Sequence, residues 1–340
     1  MLRCTADRIA ELQPHVPQSD AVPCFGPIIG PSHVAPEYRT LDADTLGSVR
    51  ITETGEAGSV PEIAVENSLD TLLFLMDGQE LVGAKQNRIL NTDVLVPART
   101  TLKIPVSCVE AGRWRYNNAA TFTPGRTASH RIRSGKQLRV HESLRNRGRH
   151  DADQSAVWQE VNESLVAARA SSPTSALHDA YEARRKPLME LRSRLHLPDD
   201  AVGLAVFYGN RFQGLDVFDK SSTMHYFWEC LVDSYAIEWL GAQHKTEHPD
   251  NSAVESAVRD IFAHASTGDW EVFASPGTGN DLRLTQNGLA GSMLVWESRT
   301  VVHLQLFPTS GADTARGESR RLRPPVHRRY GRRSAPPPTR

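Results

Sequence analysis

The segment Gly78–Asn91, GQELVGAKQNRILN, carries side chains that could bind a polar ligand. It holds one carboxylate, two cations and three amides: Glu80, Lys85, Arg88, Gln86, Asn87 and Asn91. The segment has the pattern of two β-strands, and Gly83 is small enough to let a ligand or another backbone approach. We predict Glu80 as a catalytic residue, and Lys85, Gln86, Asn87 and Arg88 as ligand-binding residues. A solvated sheet face with a Glu80–Lys85 or Glu80–Arg88 ion pair is the alternative.

A second polar stretch, PVSCVEAGRWRY, runs from Pro105 to Tyr116. Strand alternation places Cys108 and Glu110 on one face, and Glu110 is the second candidate catalytic residue. Arg113 beside Trp114 suits phosphate or carboxylate contact together with base stacking, and both are candidate ligand-binding residues. A structural cation–π pair fits the same two residues equally well. No histidine lies near Cys108 in the sequence, which favours a buried structural cysteine over a nucleophile.

The remaining motifs give weaker evidence for a functional site. The stretch ASPGTGNDLRL matches neither a P-loop nor a dinucleotide fingerprint, and we interpret it as a hairpin turn. There is no GxSxG elbow. The histidines lack metal-ligand spacing, so no metal site is predicted, and no cofactor is indicated. His303 in VVHLQLF is predicted to be a hydrogen-bonded core residue. Asp216 and Asp219 both lie near a strand end, where a carboxylate could take part in a functional site.

Composition defines the broad class of the protein. The chain has 340 residues, of which 39% are hydrophobic and 23% are charged, as in ordinary globular proteins. The net charge is −1, and nine Arg with one acid from Thr314 to Arg340 give the tail +8, so the remaining body is about −9. An acidic body argues against nucleic-acid binding by the folded part. Without CxxC pairs, a secretory signal or a long apolar run, we expect a soluble cytoplasmic protein.

The elements that position these residues point to an α+β fold. Six prolines predict an extended lead-in over residues 1–36. Short alternating strands predict an antiparallel β-sandwich or small barrel over 37–115, with a hairpin at Asp77-Gly78. Residues 116–153 are Arg-rich with little periodicity and predict a flexible connection. Residues 154–308 predict a second, α+β domain with a helical section and a C-terminal β-meander, followed by a disordered basic tail over 309–340.

Five segments together resemble a known bacterial family. They are GSVPEIAVEN, GQELVGAKQNRILN, IPVSCVEAGRW, QSAVWQEV and VVHLQLF, which span about residues 40–308. They resemble the ADP-ribosylglycohydrolase- and rhodanese-phosphatase-associated protein family. The resemblance implies a link to NAD-derived or ADP-ribose metabolism, and this link rests on association alone. The motif positions it marks are Glu80, Gly83, Lys85, Gln86, Asn87, Arg88, Cys108, Glu110, Arg113 and Trp114.

Two hypotheses follow. In the first, the protein binds or processes a nucleotide or an ADP-ribose-like small molecule. Arginines and Lys85 would hold phosphates, Trp114 would stack a base, and Glu80 or Glu110 would act as general acid/base or bind ribose hydroxyls. This requires the two polar stretches to converge on one cleft. In the second, the protein is a non-catalytic adaptor, and its Glu–Arg pairs are structural.

Overall fold

The computed structural model describes residues 2–15, 17–18, 23–55, 61–116, 120–241 and 250–309. The helices of this part of the chain are α1 Leu2–Ala10, α2 His130–Arg147, α3 Gln154–Ala168, α4 Leu177–Ala183, α5 Arg185–Arg192, α6 Ser221–Gly241 and α7 Asn251–Ser266. The strands are β1 Gln13–Pro14, β2 Cys24–Ile29, β3 Tyr38–Thr40, β4 Val49–Glu53, β5 Glu62–Asn67, β6 Leu72–Leu75, β7 Gln79–Gly83, β8 Arg88–Leu90, β9 Val94–Val96, β10 Thr100–Cys108, β11 Phe122–Thr127, β12 Ala201–Tyr208, β13 Arg211–Phe218, β14 Glu271–Ala274, β15 Asn280–Gln286, β16 Leu289–Trp296 and β17 Thr300–Pro308. The predicted α+β class is confirmed.

An eight-stranded antiparallel sheet forms the C-terminal part, in the order β1-β2-β12-β13-β17-β16-β15-β14. Strands β14 to β17 are sequential neighbours, which confirms the predicted β-meander. Helices α2, α3 and α6 share one apolar cluster with this sheet, and α1 and α7 share another. Because helices cover both faces, β12 is an almost continuous apolar run, AVGLAVFY, without alternation.

A six-stranded antiparallel sheet forms the N-terminal part, in the order β11-β7-β8-β10-β5-β4. A bridge between Thr52 and Thr121 brings its two edges together, so that the sheet curves into a half-barrel. Apolar residues such as Ile51, Ile63, Leu81 and Ile104 fill its interior. A small three-stranded sheet, β3-β6-β9, pairs β3 parallel and β9 antiparallel to β6.

Two predicted segments are wrong in part. Residues 130–147 of the supposed flexible connection form helix α2, which begins after Ser129 and ends at the left-handed Gly148. The hydrophobic pattern missed this helix because charged residues such as Arg133 and Lys136 lie on its buried side. In the predicted extended lead-in, Leu2–Ala10 is helical, and β2 joins the large sheet beside β12. The division of the chain into two domains stays a prediction.

The predicted hairpin at Asp77-Gly78 is also wrong. A tight turn is present, since Gln79 N donates to Met76 O at 3.0 Å. However, β6 belongs to the small sheet and β7 to the six-stranded sheet, so the turn transfers the chain between sheets. The hairpin turn predicted in ASPGTGNDLRL is confirmed, because β14 and β15 pair across it.

Two further predictions concern the C-terminal tail and membrane-spanning helices. From residue 310 onward, the predicted disordered basic tail lies outside the described residues. Among the helices of the described residues, none has both the length and the apolar character needed to cross a membrane.

Candidate functional site

The pairing of β7 with β8 decides which polar side chains of Gly78–Asn91 share a face. Leu81 lies opposite Arg88, and Glu80 lies opposite Ile89. Glu80 and Arg88 therefore point to opposite sides of the ribbon, and the Glu80–Arg88 ion pair does not form. Gly83 has φ 132° between the strands, and a Cβ there would lie 2.5 Å from the carbonyl oxygen of Thr121. Only glycine permits this close approach.

The two polar stretches meet directly after β10. Val109 N donates to Asn87 O at 3.0 Å. Asn87 N in turn donates to Glu110 Oε2 at 3.1 Å, and Gln86 Nε2 donates to the backbone oxygen of Glu110 at 2.9 Å. We call this region, residues 83–88 together with 108–116, the motif junction. The amides Gln86 and Asn87 are therefore part of its internal framework.

Glu110 and Arg113 form a partly enclosed ion pair, with 2.6 Å between Arg113 Nη2 and Glu110 Oε2. Arg113 also donates to the backbone oxygen of Ala84 at 2.6 Å, and Thr174 Oγ1 donates to Glu110 Oε1 at 2.8 Å. Burial alone would raise the pKa of Glu110, but the hydrogen bonds from Arg113 and Thr174 outweigh it and hold that pKa below its ordinary value. These contacts make both residues well suited to holding the junction together.

Arg88 is fully buried and lies between Glu53 and Cys108. Its Nη2 is 3.3 Å from Glu53 Oε2, and its Nη1 contacts the thiol of Cys108. Burial raises the pKa of Cys108 to about 11, so the thiol stays protonated at neutral pH. Cys108 is thus the buried structural cysteine that the sequence favoured. Glu53 was not singled out from the sequence, because it lies outside both polar stretches.

Lys85 lies between two aromatic rings at the surface of the motif junction. Its Nζ is 5.5 Å from the ring centre of Trp114 and 5.3 Å from that of Tyr116. Both rings are 47% exposed, whereas Lys85 is buried between them. The guanidinium of Arg88 lies 5.6 Å from the Trp114 ring. The arrangement therefore offers exposed aromatic surface with positive charge behind it.

A groove of about 280 Å³ is lined by one ring of this pair, Tyr116, whereas Trp114 and Lys85 lie beside its lining. Its lining residues include Tyr116, Glu53 and residues from β4, β5 and β10: Arg50, Thr52, Ala64, Glu66 and Thr101. The volume is just below the ~300–1,000 Å³ of typical small-molecule sites. We call this region the aromatic groove. Its lining offers a ligand the ring of Tyr116, the guanidinium of Arg50 and the carboxylate of Glu66.

Glu80 does not belong to the motif junction. It is fully buried on the other side of β7, where its Oε2 accepts a hydrogen bond from Arg126 N at 3.3 Å. The same oxygen lies 3.6 Å from Nδ1 of His178 on α4. The predicted site residues are thus divided: Lys85, Gln86, Asn87, Arg88, Glu110, Arg113 and Trp114 come together, and Glu80 does not join them.

A buried ionic network lies beside the large sheet, and the sequence pointed to only two of its members, Asp216 and His303. Its members are Asp77, Asp93, Arg133, Lys136, Gln137, Asp216, Asp281, Arg283, His303 and Gln305. Lys136 contacts Asp77, Arg133 contacts Asp216, and Arg283 Nη2 is 2.7 Å from Asp281 Oδ2. The regular spacing of Arg133, Lys136 and Gln137 along one side of α2 was the available signal.

His303 lies at the centre of this network, as the predicted hydrogen-bonded core residue. Its Nδ1 is 3.0 Å from Asp93 Oδ2, and its Nε2 is 3.2 Å from Asp216 Oδ1. Burial alone would lower the pKa of His303, but the two carboxylates raise it to about 9. Burial alone would raise the pKa of Asp216, but Arg133 and His303 lower it to about 2. His303 and Asp216 are therefore both charged at neutral pH and compensate each other.

The fold and the site define a class: α+β proteins in which a half-barrel sheet carries a polar, aromatic surface groove beside a helix-covered meander sheet. Residues 23–307 match the model of the ARG and rhodanese-phosphatase-superfamily-associated protein domain. The chain belongs to this family, as the resemblance of its motifs implied. No curated protein and no solved structure shows a significant match to the chain.

Proposed function

We propose that the protein binds a nucleotide-related small molecule, NAD-derived or ADP-ribose-like, in the aromatic groove. The observation that carries the proposal is the placement of Lys85 between the half-exposed rings of Trp114 and Tyr116. A nucleobase can stack on an exposed ring face, and Lys85 and Arg50 supply positive charge for phosphate oxygens. The family description names an association with ARG proteins and no ligand, so the proposed ligand class rests on that association and on the chemistry of the groove.

Charge and hydrogen bonding assign different roles to the remaining residues. Arg113 and Glu110 neutralise each other and hold the motif junction, so the phosphates fall to Lys85 and Arg50. Glu66 lines the aromatic groove and can accept hydrogen bonds from ribose hydroxyls, whereas the carboxylate of Glu53 is held by Arg88. In this proposal the groove recognises base, ribose and phosphate through three separate kinds of contact.

A thermal-shift titration with ADP-ribose, NAD and AMP tests this proposal. At about 100 times its dissociation constant, a true ligand adds roughly 2.7 kcal/mol to the free energy of unfolding. Base stacking contributes ~1–3 kcal/mol, so Trp114→Ala should weaken binding by about 5- to 150-fold. Lys85→Gln should weaken the binding of phosphate-bearing ligands more than the binding of the corresponding nucleoside.

The matched controls are Met189→Ala and Arg99→Ala. Met189 is an exposed apolar residue on α5, and Arg99 is an exposed cation paired with Asp70. Neither change should alter the ligand-induced shift. An equal loss of binding in the controls, or an undiminished shift in both Trp114→Ala and Lys85→Gln, would contradict the proposed site.

A non-catalytic adaptor is the second candidate function. The Glu110–Arg113 pair favours it, because that pair holds the motif junction as a structural contact. The exposed rings of Trp114 and Tyr116 would then contact a partner protein. A protein that shows no thermal shift with any of the three nucleotides would favour this candidate.

A further inference from the structure

A second groove lies on the other side of β7, about 530 Å³ in volume. Its lining residues come from β7, β11, α4 and α6: Gln79, Pro124, Gly125, Arg126, Thr127, His178, His225, Tyr226, Phe227, Glu229 and Cys230. Tyr226, Glu229 and Cys230 follow at i, i+3 and i+4 along α6 and share one side of this helix. We call this region the histidine groove. Its volume is within the ~300–1,000 Å³ of small-molecule sites.

Glu80 lies buried behind the lining of the histidine groove. Gly125 permits its close approach, since a Cβ at this glycine would lie 2.7 Å from Glu80 Oε2. Within the described residues, Glu80 Oε1 has no hydrogen-bond partner. Burying an incompletely bonded carboxylate is costly, and such groups in native proteins often have a functional explanation. The incomplete hydrogen bonding of this buried carboxylate therefore points to a functional role and not to packing alone.

His178 connects this buried carboxylate with the groove. Its side chain is 37% exposed, and its Nδ1 lies 3.6 Å from Glu80 Oε2. The Glu80 carboxylate raises the pKa of His178 above its ordinary value, with Glu182 adding to the effect and burial and Arg126 opposing it. At 3.6 Å the contact is an ion-pair distance, and Nδ1 has no hydrogen-bond partner among the described residues. A carboxylate at this distance favours the tautomer with the proton on Nδ1. Nε2, which lies 4.0 Å from Glu182 Oε1, is then the nitrogen that can accept a proton from the groove.

The charges around the histidine groove compensate one another. Arg126 Nη1 is 3.0 Å from Asp233 Oδ2, and Arg192 Nη1 is 2.9 Å from Glu229 Oε2. With Glu80 and Glu182 also present, the described residues around this groove leave no surplus of positive charge for a phosphate dianion. The partly exposed ring of Tyr226 and the ring of Pro124 offer apolar contact instead. These features favour an uncharged substrate with an apolar portion.

We propose that the histidine groove is a hydrolytic site for uncharged carboxylic esters, with His178 as the general base and Glu80 as its positioning residue. Nε2 of His178 takes a proton from water while the water oxygen forms a bond to the ester carbonyl carbon. Arg126, whose Nη1 is paired with Asp233, donates from its other N–H groups to the resulting single oxyanion. The bond between this carbon and the alkoxide oxygen then breaks, and the imidazolium returns the proton to the alkoxide. The products are an alcohol and a carboxylic acid, and water is the only co-reactant.

Hydrolysis of p-nitrophenyl butyrate by the full chain tests this proposal. General acid–base catalysis accelerates a reaction by ~10²–10⁴-fold, so His178→Gln should lower kcat/KM by at least about tenfold. Glu80→Gln should lower kcat/KM and move the acidic limb of its pH profile to lower pH, because the carboxylate no longer raises the pKa of the base. A purely structural role for Glu80 would leave the position of that limb unchanged.

The matched control is His264→Gln, which removes an exposed imidazole from α7 on the opposite side of the large sheet. This variant should retain the wild-type rate. His178→Asn serves as a second variant, and the Tm of each protein separates loss of chemistry from loss of folding. The proposal is overturned if the wild type is no faster than buffer, if folded His178 variants keep the wild-type rate, or if His264→Gln loses as much activity as they do.

Discussion

At the scale of single residues, Asp77 is a fully buried carboxylate that is bonded by several partners. Its carboxylate is fully buried, contacts the ammonium of Lys136, and accepts hydrogen bonds from Gln137 Nε2 at 2.6 Å and Gln305 Nε2 at 3.1 Å. Its own N–H donates to Asp93 Oδ1 at 2.7 Å. A buried charge with this many partners is tolerated because each partner offsets part of the lost hydration.

Replacing Asp77 by Ala should strongly destabilise the protein. The change leaves the ammonium of Lys136 buried without its carboxylate, and breaking such a pair typically costs about 3–5 kcal/mol. Urea denaturation measures the change in the free energy of unfolding. Asp70→Ala is the control, since Asp70 is 86% exposed in its ion pair with Arg99. This control should have little effect, and equal losses in the two variants would show that burial of Asp77 is unimportant.

At the scale of elements, helix α2 joins the network to the large sheet. Ser129 Oγ accepts from Ile132 N at the start of the helix, and Gly148 ends it with φ 64°. The N–H of Gly148 donates to Leu144 O, as in a left-handed C-cap. These caps define the limits of a helix whose interior shows little amphipathic pattern.

Gly148→Ala should therefore destabilise the protein by roughly 1 kcal/mol, because alanine is strained at a positive φ. No atom lies within 4 Å of a Cβ added at Gly148, so the effect isolates backbone strain from crowding. Gly47→Ala is matched to it, since Gly47 is equally open and lies outside the positive-φ region. Thermal unfolding should show a lower Tm for Gly148→Ala and an unchanged or slightly higher Tm for Gly47→Ala. A lower Tm in both would reject the explanation by strain.

Element prediction from the sequence succeeded where apolar side chains fill the core. The helical section and the C-terminal β-meander were predicted because many of their buried residues, as in α6 and β16, are apolar. Helix α2 was missed because many of its buried side chains are polar. Their hydrogen-bond and ion-pair partners lie far away in the sequence. The hairpin at Asp77-Gly78 was wrong because β6 finds its partners in β3 and β9. Local turn chemistry cannot specify such non-local pairing.

Part of the candidate site could also be predicted from the sequence, and part could not. The density of polar residues correctly marked two stretches that meet, including Glu110, Arg113 and Asn87. The position of Glu80 was not predictable, because it depends on the register that sets Leu81 opposite Arg88. His178 was not singled out either, since it lies on a separate helix with no motif around it.

At the scale of the whole molecule, the ionic network joins segments that are far apart in the sequence. Asp93 follows the six-stranded sheet's β8, Arg133 lies on α2, and Asp216 and His303 lie on the large sheet. His303 contacts both Asp93 and Asp216, so its charge contributes to the association of these parts. We expect this charge to make folding sensitive to pH.

The stability of the protein should fall as the pH rises from 6.5 to about 9, the interval between the ordinary pKa of His303 and its raised value. The folded state holds this proton more tightly than the unfolded state, so its stabilising effect is complete below pH 6.5 and lost above about 9. One proton gives a slope of at most ~1.4 kcal/mol per pH unit. Urea titrations across this range measure the slope.

His303→Gln is the informative variant for this prediction. It should reduce the slope of stability against pH in that interval, in addition to lowering stability near neutrality. His264→Gln, which changes an exposed histidine, should leave the slope as in the wild type. An unchanged slope in His303→Gln would assign the pH dependence to other groups.

The shared partners of the network also limit how this chain can vary. Arg133 contacts Asp216 and Gln305, and Asp216 contacts His303 and Tyr235, so one substitution removes support from several neighbours. Effects within such a group are not additive, and a tolerated change at one position requires compensating changes at others. A library of single substitutions will therefore find few acceptable variants here. Combinatorial libraries that exchange whole sets of facing residues are the practical route to redesigning this part of the core.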